Sequence, residues 1–144
     1  MHYLGGDDKY LPVIAAGLVY HDIGLWTDKQ LDYLEPGCRR AAEVLSGSSS
    51  EEEGQLLHDI IYWHHKVTPF NGAHADVVNA VRKADWIDAT MGVVNQRMPS
   101  SHISTVQDQI PNAGFHKTLL TIGPRYHGMD VYTIVKDLST IMKW

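Results

Sequence analysis

The sequence predicts an all-α fold, and three observations lead to that prediction. Ser50, followed three residues later by Glu53, is the signature of a helix start, and apolar residues follow it at helical spacing. Between residues 74 and 94, Val77, Val78 and Val81 fall on one arc at the angular step of an α-helix. No stretch alternates apolar and polar residues convincingly enough to predict a strand or a hairpin.

The predicted helices follow one another along the chain. Pro12 suits a first helical turn, and the apolar run from 13 to 20 is compatible with a buried strand or a buried helix. Its alanines and leucine favour the helix, which Gly24 is expected to end. The helix behind Ser50 runs into residues 62–66 and has to stop before Pro69. Further helices are expected at 36–46, with Gly47 as the stop, and at 74–94, 101–109, 115–121 and 131–142.

The composition predicts one globular domain over residues 1–144, with residues 1–10 as a flexible N-terminus. The single Cys38 excludes an intrachain disulfide framework and fits a reducing cytoplasm. No signal peptide or membrane span is recognisable, so we expect a cytoplasmic protein that does not bind membranes. A net charge of -5 without a basic stripe argues against nucleic-acid binding. Nine histidines, against 12 lysines and arginines together, hint at metal chemistry.

Three places put ionisable side chains in apolar surroundings, where an unpartnered charge is costly. They are the His21–Asp22 pair at the end of the first apolar run, the His64–His65 pair, and the carboxylates Asp85 and Asp88 on the apolar arc of the helix predicted at 74–94. Imidazole nitrogen and carboxylate oxygen together suit a first-row metal such as Mn, Fe, Co, Ni or Zn better than Ca. Such a metal lowers the pKa of a bound water.

Each pair also has an ordinary explanation. A His–Asp dipeptide is commonly a surface pair or a helix cap, and two adjacent histidines beside aromatic residues are compatible with simple core packing. Asp85 can pair with Arg82 or Lys83, which the helical angle places outside the apolar arc, and Asp88 can cap another helix. The conjunction of the three pairs is what favours a metal site.

In chain order, 21-HD-22, 64-HH-65 and 84-ADWID-88 resemble the motifs of the HD-domain superfamily of metal-dependent phosphohydrolases. The longer phrases are similar to a bacterial HD subgroup of poorly defined function: 20-YHDIGLWTDKQLDYLEP-36, 63-WHHKVTPF-70, 82-RKADWIDATMGV-93 and 111-PNAGFHKTL-119. The resemblance covers residues 11–120 and implies a compact α-helical bundle, the HD-domain fold.

The resemblance also implies a ligand set and catalytic roles. His21 and Asp22 correspond to the HD pair and Asp85 to the final Asp, with Asp88 as the alternative. His64 and His65 correspond to further histidines that bind a second metal in some members. One or two divalent metals (Mn, Fe, Co, Ni, Zn or Mg) are therefore expected. Asp22 would bridge metals or orient the water. Lys66 would meet an anionic group as a point charge, unless it is a solvated helix end.

The chain departs from the family pattern in its first histidine, which normally lies on a helix well before the HD pair. His2 is the one histidine available there, and the Gly/Asp-rich start 1-MHYLGGDDKY-10 does not resemble a ligand-bearing helix. The chain thus resembles an HD domain that lacks its first helix. Either another histidine completes the site, from this chain or a second subunit, or metal binding is weakened or lost. The exposed apolar face that a missing helix leaves predicts a homodimer.

Three functions follow as alternatives. The first is an HD-type metal-dependent hydrolase acting on a small phosphate ester, plausibly a nucleotide. The second keeps the fold and changes the chemistry to that of an HD-type hydratase or lyase, which needs no phosphate-binding cations. The third is a degenerate HD module that binds a small molecule or a partner without catalysis.

Overall fold

A computed structural model describes residues 8–45, 47, 50–128 and 130–142. His2 and most of the predicted flexible N-terminus lie outside these residues, and Asp8–Tyr10 form a short 3-10 helix. The described residues contain eight α-helices and no strand, which confirms the all-α prediction. The helices are α1 (Leu11–Tyr20), α2 (Ile23–Thr27), α3 (Leu34–Leu45), α4 (Glu51–Trp63), α5 (Ala75–Ala89), α6 (Ser100–Gln109), α7 (Phe115–His127) and α8 (Val131–Met142).

Helix α4 lies at the centre of the fold, packed against α1, α3 and α5. Its Leu56 and Ile60 are buried together with Ile14 of α1 and the valines of α5. A Cβ added at Gly17 of α1 would lie 2.5 Å from Cγ2 of Ile60, so the two helices approach as closely as glycine permits. This contact fixes α1 against α4 one helical turn before the end of each helix.

The start of α4 is confirmed as a capping box. The Ser50 hydroxyl accepts a hydrogen bond from the backbone N–H of Glu53, and the Glu53 carboxylate accepts one from the backbone N–H of Ser50. Both groups satisfy N–H donors that a helix start leaves without intrahelical partners. The helix that carries the histidine pair therefore begins where the sequence signature predicts.

The predicted end of the first helix at Gly24 is wrong. Helix α1 ends at Tyr20, the chain turns through His21 and Asp22, and α2 begins at Ile23. Gly24 is buried inside α2, where an added Cβ would overlap the carbonyl oxygen of Tyr33 and lie 2.9 Å from the nitrogen of Gly37. The glycine thus serves a close approach of α2 to the start of α3 and does not cap a helix.

Other boundaries differ from the predicted ranges. Helix α5 ends at Ala89, short of residue 94, because Thr90 bonds back to the carbonyl of Trp86 and Gly92 adopts a positive φ of 83°. Helix α7 continues past 121 through Pro124 to His127. Helix α3 begins at Leu34, two residues before the predicted start.

The outward orientation predicted for Arg82 is also wrong. Arg82 is buried, and its Nη1 donates to the backbone carbonyls of Lys66 and Val67 at 3.1 and 3.2 Å. A guanidinium carries several donors in a fixed geometry and therefore satisfies two carbonyls of the turn after α4 at once. Helical angle alone does not reveal such acceptors on a neighbouring segment.

A second part of the core joins α2 and the turn after it to the helices α7 and α8. The buried residues of this part are Leu25 of α2, Leu31 and Tyr33 of the following turn, Ile122 of α7 and Ile141 of α8.

Among the described helices, none combines the length and apolar character that crossing a bilayer requires.

Candidate metal centre

The end of α1, the end of α4 and the middle of α5 meet at one cluster of ionisable side chains. His21 and His64 are the first residues after α1 and α4, each one turn beyond the Gly17–Ile60 contact. Their rings consequently lie side by side, with centroids 4.9 Å apart. Asp22 lies next to His21, His65 lies next to His64, and Asp85 of α5 completes the group.

Backbone carbonyls orient both histidine rings in the same way. Nδ1 of His21 lies 2.7 Å from the carbonyl oxygen of Leu18, and Nδ1 of His64 lies 2.6 Å from that of Ile61. Because a carbonyl oxygen only accepts, each Nδ1 carries the hydrogen. In the neutral ring, Nε2 then has its lone pair free, and in both residues Nε2 faces the carboxylates.

Two carboxylates lie within ligand distance of these nitrogens. Nε2 of His21 is 3.1 Å from Oδ2 of Asp22 and 3.8 Å from Oδ1 of Asp85. Nε2 of His64 is 3.6 Å from Oδ1 of Asp22. Ligand atoms held about 2.1 Å from one metal ion lie roughly 3 to 4 Å from each other, so these separations fit a shared ion.

The environment assigns charges to the cluster. Burial lowers the pKa of His64, and neighbouring His65 lowers it further, so His64 is neutral near pH 7. Burial also acts to lower the pKa of His21, but the hydrogen bond and charge of Asp22 outweigh it and raise that pKa to about 9. For Asp22, burial alone would raise the pKa, but His21 holds it well below its usual range.

Two buried atoms of the cluster have no hydrogen-bond partner among the described residues: Nε2 of His64 and Oδ2 of Asp85. Nδ1 of His65 lies 3.1 Å from Oδ2 of Asp85, but when the ring donates its hydrogen from Nε2 to Tyr33, Nδ1 has no hydrogen to donate. The lone pair of neutral His64 therefore faces a carboxylate, an arrangement of two acceptors that a cation between them would make favourable. The ligand-type atoms form two overlapping groups that share His64, namely His21–Asp22–His64 and His64–His65–Asp85, and each combines imidazole and carboxylate donors that fit a divalent metal.

Tyr33 is a member of the site that the sequence did not single out as one. Its hydroxyl donates to Oδ1 of Asp22 at 2.7 Å and lies 2.6 Å from Nε2 of His65. Since the hydroxyl hydrogen is directed at Asp22, Nε2 of His65 is the donor in the second contact. Burial and the nearby charge of Asp22 raise the pKa of Tyr33 well above its ordinary value, so the hydroxyl stays protonated. The position of Tyr33 within the HD-like phrase 20–36 was the available signal.

The structure brings together five of the predicted site residues and places the others elsewhere. His21, Asp22, His64, His65 and Asp85 form the cluster. Lys66 does not join it: its side chain is buried, its Nζ lies 3.4 Å from the carbonyl oxygen of Thr140, and it lies over the ring of Tyr62. Asp88 is exposed at the rim, where its backbone carbonyl accepts a hydrogen bond from Nε2 of His116.

A cleft of about 400 Å³ opens onto the cluster. His21, Asp22, Tyr33, His65 and Asp85 form its polar floor. Its outer wall comes from Asp88 and Ala89 and from the segment 110–115, which joins α6 to α7. The cluster is therefore buried enough to strengthen electrostatic interactions and still reachable by a small molecule.

Comparisons with models of protein families, with curated proteins and with solved structures give no match for this chain. The resemblance to the HD superfamily thus remains a prediction that depends on the motifs and their order.

Proposed function

We propose that this protein is a divalent-metal-dependent hydrolase of the HD type that acts on a small phosphate ester. One observation carries the proposal: the free Nε2 of His64 and the free Oδ2 of Asp85 are buried in a cluster of ligand-type atoms. In an ion pair that only stabilises the fold, each buried acceptor would face a hydrogen-bond donor, and no lone pair would be buried opposite a carboxylate.

The metal would be held by His21, Asp22 and His64, with Asp85 and His65 next to them in an overlapping group of ligand-type atoms. His64 would supply a second imidazole beside that of His21. Its Nδ1 is committed to Ile61, so His64 offers one nitrogen and serves one ion. His65 would have its Nδ1 lone pair facing the metal side, since its Nε2 hydrogen is directed at Tyr33. When bound, the metal supplies a water that is acidic enough to act as a nucleophile at neutral pH.

The residues of the chain would bind and orient the reactants. In hydrolysis the oxygen of water bonds to phosphorus, the bond from phosphorus to the ester oxygen breaks, and the alcohol leaves with a proton. Asp22, ionised and fixed by Tyr33, would orient the water. The phosphate class is supported by the motif order, and the cleft is large enough for a small ester.

The test is metal binding followed by turnover. Purified protein is stripped with a chelator and titrated with Mn, Ni or Zn, and thermal unfolding and hydrolysis of bis(p-nitrophenyl) phosphate are followed. A metal ion present at about 100 times its Kd raises the free energy of unfolding by about 2.7 kcal/mol. For a chain of 144 residues this corresponds to an increase in Tm of about 9 °C. His64→Gln should lose both effects, whereas His58→Gln, on the exposed side of α4, should keep them. Wild-type protein without metal binding and without turnover would end this proposal.

The second candidate, an HD-type hydratase, is favoured by a specific observation. Among the described residues that line the cleft there is neither lysine nor arginine, because Lys66 and Arg82 are engaged elsewhere. Addition of water to a nitrile needs no such cation. Turnover of cyanamide together with inactivity on phosphate esters would select this candidate.

The non-catalytic alternative is less well supported by the geometry. A degenerate module is expected to leave the last aspartate facing solvent, but the side chain of Asp85 is 13% exposed and faces His65. Bound metal in the purified protein, without turnover of either substrate class, would favour the module.

A further inference from the structure

We propose that the substrate carries an apolar group and that this group binds in a second pocket beside the metal cleft. The inference rests on the proposed function for the reacting end of the substrate and adds the chemistry of the other end. It replaces the nucleotide expected from the sequence with an ester of an apolar alcohol.

The second pocket has a volume of about 330 Å³ and lies between α2, α5, α7 and α8. Its walls are mostly apolar side chains, among them Leu25, Ile122, Leu138 and Ile141. Leu25, Ile122 and Ile141 are almost completely buried and Leu138 is 40% exposed, so the pocket is a half-open recess whose inner walls belong to the core. Apolar pockets of this size bind ligands by removing apolar surface from water.

The pocket and the metal cleft meet at three residues. Tyr33, His65 and Ala89 line both cavities. Tyr33 and His65 are joined by their 2.6 Å contact and form a wall between the cavities. Ala89, the last residue of α5, has a methyl group where a longer side chain would extend the wall. In the proposed complex, the phosphate would lie at the cluster and the apolar group would extend past Ala89 into the second pocket.

The polar groups of the pocket limit the ligand class. The hydroxyl of Thr90 donates to the carbonyl of Trp86, and Tyr33 and His65 bind each other. Nε1 of Trp86 is buried and has no hydrogen-bond partner among the described residues. One donor thus remains for a ligand. A nucleobase would leave several of its polar atoms without partners, at a cost in affinity, whereas a ring with one acceptor or none would not.

The first experiment compares three primary alkyl esters with similar leaving groups: methyl phosphate, cyclohexylmethyl phosphate and AMP. For the metal-loaded wild type, we expect kcat/KM at least tenfold higher for cyclohexylmethyl phosphate than for either of the others. In the Ala89→Leu variant, kcat/KM for cyclohexylmethyl phosphate should fall to the value that the same variant shows for methyl phosphate. Ala84→Leu is the matched control, an exposed alanine on the same helix, and should preserve the preference. Equal rates on all three esters, or a preference that survives Ala89→Leu, would overturn the inference.

A second experiment does not need the metal or turnover. Binding of 1-naphthol to chelator-treated protein is measured by equilibrium dialysis. Leu138→Trp, which fills the pocket from α8, should weaken binding at least tenfold, and Val135→Trp, an exposed position on the same helix, should not. If no ester is hydrolysed, the proposed function fails, but this pair of variants still tests whether the apolar pocket binds a ligand. If 1-naphthol does not bind to the wild type, or if both variants bind it equally well, the apolar pocket is refuted as a binding site.

Discussion

We expect the free energy of unfolding of the metal-free protein to fall as the pH rises from 7 to 9, because His21 loses its proton over this range. In the folded protein its pKa is raised from 6.5 to about 9, so the folded state holds a proton that the unfolded chain releases earlier. A pKa raised by folding contributes stability that is complete below the ordinary pKa and is lost as pH rises through the folded pKa. The window of loss is therefore pH 6.5 to 9.

The magnitude follows from the two pKa values. One pKa unit corresponds to about 1.4 kcal/mol, so the difference between 6.5 and about 9 gives about 3 kcal/mol at low pH. Integrated over the titration, about 2 kcal/mol of it is lost between pH 7 and pH 9. For a chain of 144 residues this lowers Tm by about 7 °C. His64, whose pKa is lowered, acts in the opposite direction and reduces stability as pH falls below 6.5.

The assay is thermal and urea unfolding followed by circular dichroism in the presence of a chelator, at pH 7, 8 and 9. His21→Gln should reduce the loss of unfolding free energy with rising pH, and His58→Gln should leave that loss unchanged. Comparing the two variants removes the contribution of other titrating groups, which both variants share. Saturating metal should also abolish the decline, because the metal displaces the proton. A wild-type decline equal to that of His21→Gln would show that no proton is held there and would refute the charge assignment.

The remaining predictions concern the residues around the site. Tyr33→Phe removes the group that holds both Asp22 and His65, and it should weaken metal binding at least tenfold in a calorimetric titration while the protein remains folded. Arg82→Ala removes the donor of the buried Lys66 carbonyl and of the partly buried Val67 carbonyl, and it should lower the free energy of unfolding by about 3 kcal/mol, whereas Lys83→Ala should lower it by less than about 0.5 kcal/mol. Gly24→Ala should destabilise by about 2 kcal/mol or more because its Cβ meets backbone, and Gly54→Ala, with open space around it, should stabilise by about 0.5 to 1 kcal/mol. In urea unfolding, a pair of glycine variants with the same sign would contradict the packing assigned to α2.

The sequence was sufficient where a local rule decides the structure. The capping box of Ser50 and Glu53 placed the start of α4, and the helical angle of Asp85 directed its carboxylate into the core. The prediction that the cluster is a metal site came from the conjunction and the order of the motifs, and it stays a prediction. That His21 and His64 lie side by side depends on the contact between Gly17 and Ile60, which no local pattern contains.

The errors have the same origin. Gly24 is a residue type that commonly ends helices, and the sequence therefore predicted a helix end there. In the structure, the space beside its Cα is occupied by the backbone at Tyr33. Arg82 lies on the polar side of its helix by angle, yet the turn after α4 presents two carbonyls to it. In both cases a distant segment, invisible to a window of sequence, determines the role of the residue.

The orientation of the two imidazole rings has a consequence for how the protein tolerates mutation. The rings of His21 and His64 are directed by the carbonyls of Leu18 and Ile61. A carbonyl belongs to the main chain, so exchanging the side chain at either position leaves it in place. We therefore expect residues around the two histidines to vary widely while the direction of the two Nε2 atoms is retained. The geometry of the two rings therefore depends on where the helices α1 and α4 end and not on a particular set of neighbouring side chains.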